Sequence, residues 1–487
     1  MPRMAISGPS TLVTEAGALV AEAGGSVVDV AITAALVASC TEPGICSPGG
    51  GGFLTIDVPG SSPLVIDGYM AYPGLGFSGD TVSNEIWMKY GGGVTTVVGA
   101  GTVGVPGAFA SYGIAHERFG SIPWNDIMEA AAGTVDGGFP LSQAAYNYLI
   151  HSGVPIFSAD ETSRAAVFDG DRLKNAGEIV EFAGLAETLR YIGAEGASVF
   201  YTGDLGKAIV SDLSDRGSNL TLEDLARYKP LVRRPLTMKY RGWDLDINPP
   251  PAVGGVTVAL ALGSVDNAQE ADSGDWATAL VGAFESRLLD LQPGPGFEAA
   301  ATRILTSAGL RSPSTISIAA VDDEGGAVAA SFSAGYGSGV VPTGTGILMN
   351  NAVGEIELAG TGLGVPGSRM MSNMAPMVAR KGADVVALGS PGADRITSAL
   401  VSTMAALAGG LELREAIEQP RVHPEFGDWG VRVATEPGVV LGAMRYPTRP
   451  FDDLHMYFGG VNGAAFESGH LHGHADSRRH GSAVTTP

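Results

Sequence analysis

A hydroxyl pair, Ser314-Thr315, stands near the start of the stretch SPSTISIAAVDDEGGAVAASFSAGYGSGVVPTGTGILMNN, which runs from Ser312 to Asn351. A threonine hydroxyl is a poor nucleophile until a base takes its proton, and a threonine at a chain terminus carries that base as its own α-amino group. The free amine has a pKa of roughly 7.7–8.0, close enough to neutrality to accept and return a proton. Inside a continuous chain the same nitrogen is an amide and no base. A cut just before a threonine would therefore switch such a site on. Around the pair, apolar positions alternate with small residues and glycines. That pattern predicts three short strands joined by turns, with the hydroxyl at the start of the first.

The elements that position this stretch follow from the rest of the chain. Residues 9 to 40 carry apolar positions at helical spacing, amphipathic first and then almost wholly apolar, so a second helix from Val27 to Ser39 is expected to be buried. Four glycines, Gly49 to Gly52, precede a strand expected to begin at Phe53. They imply a tight loop packed over something, because glycine lets another backbone approach closely. Ser121 is expected to cap the helix that follows Pro123. Thr221, with Asp224 three residues on, forms a variant of the capping box. Pro249 to Pro251 exclude helix until about Thr257, and a helical pattern then runs to Gln292. From Pro293 to Pro313 the chain reads as partly helical with a Ser/Pro-containing approach to the hydroxyl pair, suited to a cut.

Composition narrows the function classes. With 487 residues, 45% of them apolar and 16% charged, the chain is globular rather than disordered. A formal net charge of −22 argues against a nucleic-acid binder, which needs a basic face. No run approaches the roughly 18 apolar residues of a membrane span. No signal-peptide core opens the sequence, and a cytoplasmic protein is expected. Cys40 and Cys46 are too few for a disulfide framework and read as reduced structural thiols. Two GxGxxG matches, at Gly74-Gly76-Gly79 and Gly362-Gly364-Gly367, lack the strand-to-helix context of a dinucleotide site, and no cofactor is expected. In GHLHGHADSRRHG, an extended chain would put His470, His472 and His474 on one face, where they could bind a metal. Nothing clearly completes such a site elsewhere, so no metal residue is assigned. A metal-dependent enzyme stays open as a rival reading.

Several separated stretches agree in order over most of the chain. They are AGGSVVDVAITAAL, PGGGGFLTI, GVPGAFASYGIAHERFGSIPW, LTLEDLARYKPLVRRPL, YRGWDLDINPPPAVGG, STISIAAVDDEGGAVA, YGSGVV, GILMNN, SRMMSNMAP and GSPGADRI. Together they resemble the gamma-glutamyltransferase (gamma-glutamyltranspeptidase) family of N-terminal nucleophile (Ntn) hydrolases. The resemblance implies an α/β fold, a four-layer αββα sandwich, made as a precursor that cuts itself. The cut would follow Ser314, giving a large fragment 1–314 and a small fragment 315–487 that form one heterodimeric unit. Thr315 would be the nucleophile, Gly392 and Ala393 the backbone donors to the oxyanion, and Ser333 the hydroxyl that supports the nucleophile. The second Gly of the family's Gly-Ser-Pro-Gly-Gly loop is Ala393 here, a change expected to matter little with a negative φ.

The substrate shell departs from the family. Tyr69 stands where an Arg holds the glutamate α-carboxylate, which removes a bidentate clamp. Glu355 matches the acidic residue that holds the α-amino group, and Ser372-Asn373 replace a pair of serines. After the nucleophile, the family's Thr-His-x-Ser reads Ile316 to Ala319 here. These changes spare the acylation machinery and rewrite the glutamyl-reading residues. The expected function is therefore a hydrolase or acyltransferase acting through an acyl-enzyme on a small polar acyl substrate other than an ordinary gamma-glutamyl peptide. A natural-product pathway such as antibiotic biosynthesis is compatible with this. True gamma-glutamyl transfer and a non-catalytic binding protein are the alternatives.

Overall fold

The computed structural model describes residues 2–89, 93–266, 272–290, 315–355, 364–427, 429–440 and 444–487. Ser314, the approach from Pro293 to Pro313 and Gly362 lie outside them. Two antiparallel sheets form the centre. The first has seven strands, in the order Leu231–Arg233, Leu64–Gly68, Gly51–Asp57, Ala327–Ser333, Ile316–Asp322, Met4–Gly8 and Ser482–Thr485. The second has six, in the order Leu236–Tyr240, Trp243–Ile247, Met377–Lys381, Asp384–Gly389, Asn462–Glu467 and His470–Ala475.

Alternation along the central strands builds three apolar layers out of one sequence. Side chains two apart share a face. Ile316, Ile318 and Ala320, with Val328, Ala330 and Phe332 of the next strand, join the core beneath the helices Thr11–Glu22, Val27–Thr41 and Ala108–Phe119. The residues between them, Ala319, Val321, Ala327 and Ala329, meet Val378, Val385, Ala387 and Ala464 of the second sheet. Small side chains on both inner faces let the sheets pack closely. A third core covers the far side of the second sheet with the helices Val253–Val265, Ser273–Asp290, Arg395–Ala408 and Leu413–Glu418. Helix, sheet, sheet and helix are the four layers expected. Strands from either side of Thr315 share both sheets and interleave in the first.

The buried second helix spans Val27–Thr41, and every residue in it is buried. Asp29 closes a capping box with Ser26 and also accepts from the Ser121 backbone N–H at 2.7 Å. Ser121 thus holds Asp29 and the Gly24 carbonyl, and Pro123, not Ser121, is the N-cap of Trp124–Val135. The Thr221/Asp224 box forms as expected. Three other expectations change. The strand after the four glycines begins at Gly51, two residues early, because glycines pair as readily as other residues where a neighbour leaves no room for a Cβ. The helix after the prolines begins at Val253, since proline is tolerated just before a helix. No third strand follows Ala327–Ser333: positive φ at Gly335, Gly337 and Gly339 coils that segment into turns. No helix among the described residues is long and apolar enough to cross a membrane.

Candidate active site

Thr315 is buried at the entry to the strand Ile316–Asp322. The ladder pairs Ile316 with Phe332. One step further sets Thr315 opposite Ser333, and parity turns both toward the second sheet. Ser333 accepts from the Gly335 N–H at 3.0 Å and pairs in register with Gly51. Here the four glycines find their use. A Cβ on Gly50 would collide with the Ser333 carbonyl, and one on Gly52 with that of Ser331. The loop thus closes over the strand that carries Ser333.

The second sheet brings the turn that carries Gly392 and Ala393, the expected oxyanion donors, to the same place. Gly389 ends the strand Asp384–Gly389, with Ser317 directly across, so close that a Cβ on Gly389 would lie 2.8 Å from the Ser317 Cβ. Asn462, paired with Gly389, donates through Nδ2 to both the carbonyl and the Oγ of Ser317, each at 2.9 Å. Beyond Gly389 the chain turns through Ser390, Pro391, Gly392 and Ala393 into the helix Arg395–Ala408. Gly392 has φ +124, and a Cβ there would meet the Gly459 Cα at 2.8 Å, so only glycine fits. Ala393 has φ +63. The negative φ with which the Gly-to-Ala change was expected to matter little is not found: the Cβ sits in left-handed backbone, a strain of about 1–2 kcal/mol taken by itself. Among the described residues no carbonyl accepts from the Gly392 or Ala393 amide. With the positive end of the following helix beside them, these two N–H groups have the character of an anion site.

Thr315, Ser317, Pro391, Asn462, Asp476 and Arg479 share the lining of a cavity of about 20 Å³. That is room for about one water molecule. Asp476 belongs to a buried ionic network, paired with Arg421 at 2.6 Å and with Arg478 at 3.0 Å, while Arg478 reaches Glu436 at 2.6 Å. Burial lowers the Arg421 pKa against the pull of Asp476. Arg479 donates to the carbonyls of Gly459 and Met456 at 3.3 and 3.2 Å. Sequence reasoning missed Asn462, Asp476 and Arg479. The signal for the last two was the Asp-Ser-Arg-Arg run, which lies inside the stretch read only for its histidines.

The expected substrate residues divide. Tyr69 is buried and stacks on Phe53 with ring centroids 5.4 Å apart. Burial, with Glu355 close by, pushes its phenol pKa well up, while a hydrogen bond with Ser372 pulls the other way. Tyr69, Glu355 and Ser372 are thus brought together. Asn373 instead contacts the guanidinium of Arg287, a fully buried arginine that stacks on Phe284 at 5.2 Å. Gly335 links this group to Ser333: its N–H reaches the Ser333 Oγ, and a Cβ on it would lie 3.0 Å from the Glu355 carboxyl carbon.

The remaining candidates settle into packing. Cys40 and Cys46 are free and buried, and burial pushes the Cys46 thiol up to about 12. His470, His472 and His474 do lie on a strand, but His472 pairs with Glu467 at 2.9 Å and His474 with Glu418 at 2.8 Å. Among the described residues no three metal-ligating side chains converge.

Two antiparallel sheets between helical layers, with a threonine leading a buried central strand, are the architecture of the Ntn hydrolases. The structure superposes with TM-score 0.80 on a cephalosporin acylase from Bacillus halodurans, 22% identical, over 99% of this chain and 96% of the other. The gamma-glutamyltranspeptidase family model matches residues 13–286 and 293–486, and the chain belongs to that family. It is 27% identical to the glutathione hydrolase proenzyme of Pseudomonas aeruginosa, over 87% of this chain and 83% of the relative. It is 28% identical to the acylase ACY 1 proenzyme of a Pseudomonas species, over 97% and 92%. The protein is an enzyme of the Ntn hydrolase and acyltransferase type.

Proposed function

We propose that the chain is a self-processing threonine hydrolase or acyltransferase that cuts before Thr315 and acts on a compact polar acyl donor. The observation that carries this reading is the shared cavity: Thr315 and Pro391 of the oxyanion turn line one space, with Ser333 opposite Thr315 in the ladder. In processing, Thr315 Oγ attacks the Ser314 carbonyl carbon and the C–N bond breaks. The amine is freed, and Ser314 is left as an ester on Oγ. Water hydrolyses that ester, giving a Ser314 carboxylate and a Thr315 hydroxyl beside a free α-amino group. Because strands from both fragments pair with one another in both sheets, the cut pieces stay joined.

Turnover repeats the chemistry. The amine takes the Oγ proton as Oγ attacks the donor carbonyl, and the oxyanion falls to the amides of Gly392 and Ala393. The leaving group departs with the proton, and water or an amine releases the acyl group. One such donor is typically worth about 2.7–4 kcal/mol of barrier. Tyr69 in place of a cationic clamp, packed against Phe53, supports a donor other than a gamma-glutamyl peptide. The acylase relative fits the same reading.

Denaturing electrophoresis with intact mass measurement tests it. Wild type should give two fragments, the smaller beginning at Thr315, and Thr315→Ala should give one. An uncut wild-type chain after prolonged incubation would refute the reading. Rapid turnover of gamma-glutamyl-p-nitroanilide would refute the part that rests on Tyr69.

A further inference from the structure

The strand that carries Thr315 is held unequally on its two sides. Toward Ala327–Ser333 the ladder reaches the pair Ile316 and Phe332, one residue short of Thr315. Toward Met4–Gly8 the ladder's last pair is Ser7 with Ala319, and Pro9, just past that strand, has no N–H to give. Thr315 to Ile318 therefore extend beyond their neighbour on that side. Asn462 supplies a donor there from the second sheet. Its Nδ2 donates to the Ser317 carbonyl and to the Ser317 Oγ, each at 2.9 Å. Because a carbonyl only accepts, the amide nitrogen must face Ser317, and Oδ1 then faces the Ser7 Oγ at 3.3 Å.

The backbone of the same residue is fixed beside the other half of the site. Asn462 pairs with Gly389, which leads into the turn of Gly392 and Ala393, and on its far side with Ala475. It thus spans the two parts that the reaction must bring together, the turn through its backbone and the strand of Thr315 through its side chain. Ser7, Ser317 and Asn462 are all buried, so their bonds are shielded from competing water. Ser317 lies in the stretch Ile316 to Ala319, where this chain departs from the family's pattern. A cut before Thr315 makes it a chain terminus, and terminal residues fray unless tied down. The bonds at Ser317 tie this one down two residues in.

We propose that Asn462 is a positioning residue, which holds Thr315 against the turn of Gly392 and Ala393 by clasping its strand at Ser317. The role rests on Thr315 as the nucleophile. Asn462 acts through Ser317 and takes no part in bond making itself. A nucleophile misplaced by about 1 Å loses about 10²-fold in rate, while contacts to the rest of the donor are kept. The loss on removing the clasp therefore falls on kcat and leaves KM in place.

Matched variants of the full chain separate this role from plain stability. Asn462→Ala removes the clasp. Thr55→Val removes a different bond between the sheets, from Thr55 Oγ1 to the Pro376 carbonyl at 2.8 Å, on a strand that does not adjoin Ile316–Asp322. Urea unfolding in the Thr315→Ala background should show a lowered midpoint for both. The self-cut, followed in pulse-labelled cell-free synthesis, should slow about 10–100-fold in Asn462→Ala and less than about threefold in Thr55→Val. Ser317→Ala, which keeps the carbonyl bond and loses the other, should slow it a few-fold and serves where the first variant folds poorly. With p-nitrophenyl acetate as donor, the processed Asn462→Ala enzyme should lose kcat at least about tenfold with KM unchanged. Indifference of the self-cut to both Asn462→Ala and Ser317→Ala, equal slowing in Thr55→Val, or a loss of ester turnover that lies in KM would each overturn the role. A failure of the Thr315 reading shows separately, as an uncut wild-type chain.

Discussion

Replacing Ala393 by glycine should leave stability almost unchanged, against the usual rule for a buried alanine. Ala393 is 3% exposed and has φ +63. Three effects meet there. Releasing an L side chain from left-handed backbone gains about 1–2 kcal/mol. Losing a buried methyl costs about 0.8 kcal/mol. The wider freedom of glycine in the unfolded chain costs about 0.4–1 kcal/mol. The sum lies within about 1 kcal/mol of zero. Ala34, fully buried within the helix Val27–Thr41, has no strain to release, so Ala34→Gly should cost about 1.5–2 kcal/mol from the methyl and the glycine together. With an unfolding entropy of about 2.1 cal/mol/K per residue over 487 residues, each kcal/mol is about 1 °C in Tm. Thermal unfolding in the Thr315→Ala background keeps a single chain throughout. Ala34→Gly should lower Tm by about 1.5–2 °C and Ala393→Gly by under about 1 °C. An Ala393→Gly loss equal to that of Ala34→Gly would show that the turn carries no strain.

The buried carboxyl of Glu42, held by Ser142, is pushed up to about 7 by burial, from 4.5 in the unfolded chain. Between these values the folded protein keeps a proton that the unfolded chain has shed, so stability should fall as pH rises from about 4.5 to 7 and level off above. Glu42→Gln should flatten that fall in urea titrations at stepped pH, and an unchanged slope would assign it to another group. Glu436→Gln should destabilise by on the order of 3 kcal/mol, because it removes a buried carboxylate from Arg478 while the arginine stays buried. A shift in the urea midpoint under about 0.5 kcal/mol, the range of ordinary surface changes, would mean that the network is redundant.

Much of the site was legible before any coordinates. The Ser314-Thr315 pair announced itself through residue type and the strand that follows, since an apolar strand led by a hydroxyl needs only local alternation to be read, and the resemblance chose Thr315 within it. The αββα layering was legible as well, through motif order together with the buried helix at Val27. Ser333 takes its expected role from the resemblance alone, and the ladder adds that it stands opposite Thr315. Asn462, Asp476 and Arg479 stayed hidden because they reach Thr315 from a strand and a turn about 150 residues away in sequence.

The sequence determined by itself that the chain is globular and acidic, and that a threonine stands where a strand begins. These properties depend on periodicity and residue type, which act over a few neighbours. Only the tertiary structure decided the sign of φ at Ala393, the place of Tyr69 against Phe53 and Glu355, and the basic pocket around Arg395, Arg478 and His480. Each depends on which distant backbone closes on it: Gly459 against Gly392, Gly335 against Glu355, and Arg478 to His480 folded back beside Arg395. Local pattern carries no information about such contacts, because the chain segments that make them meet only when the two sheets pack.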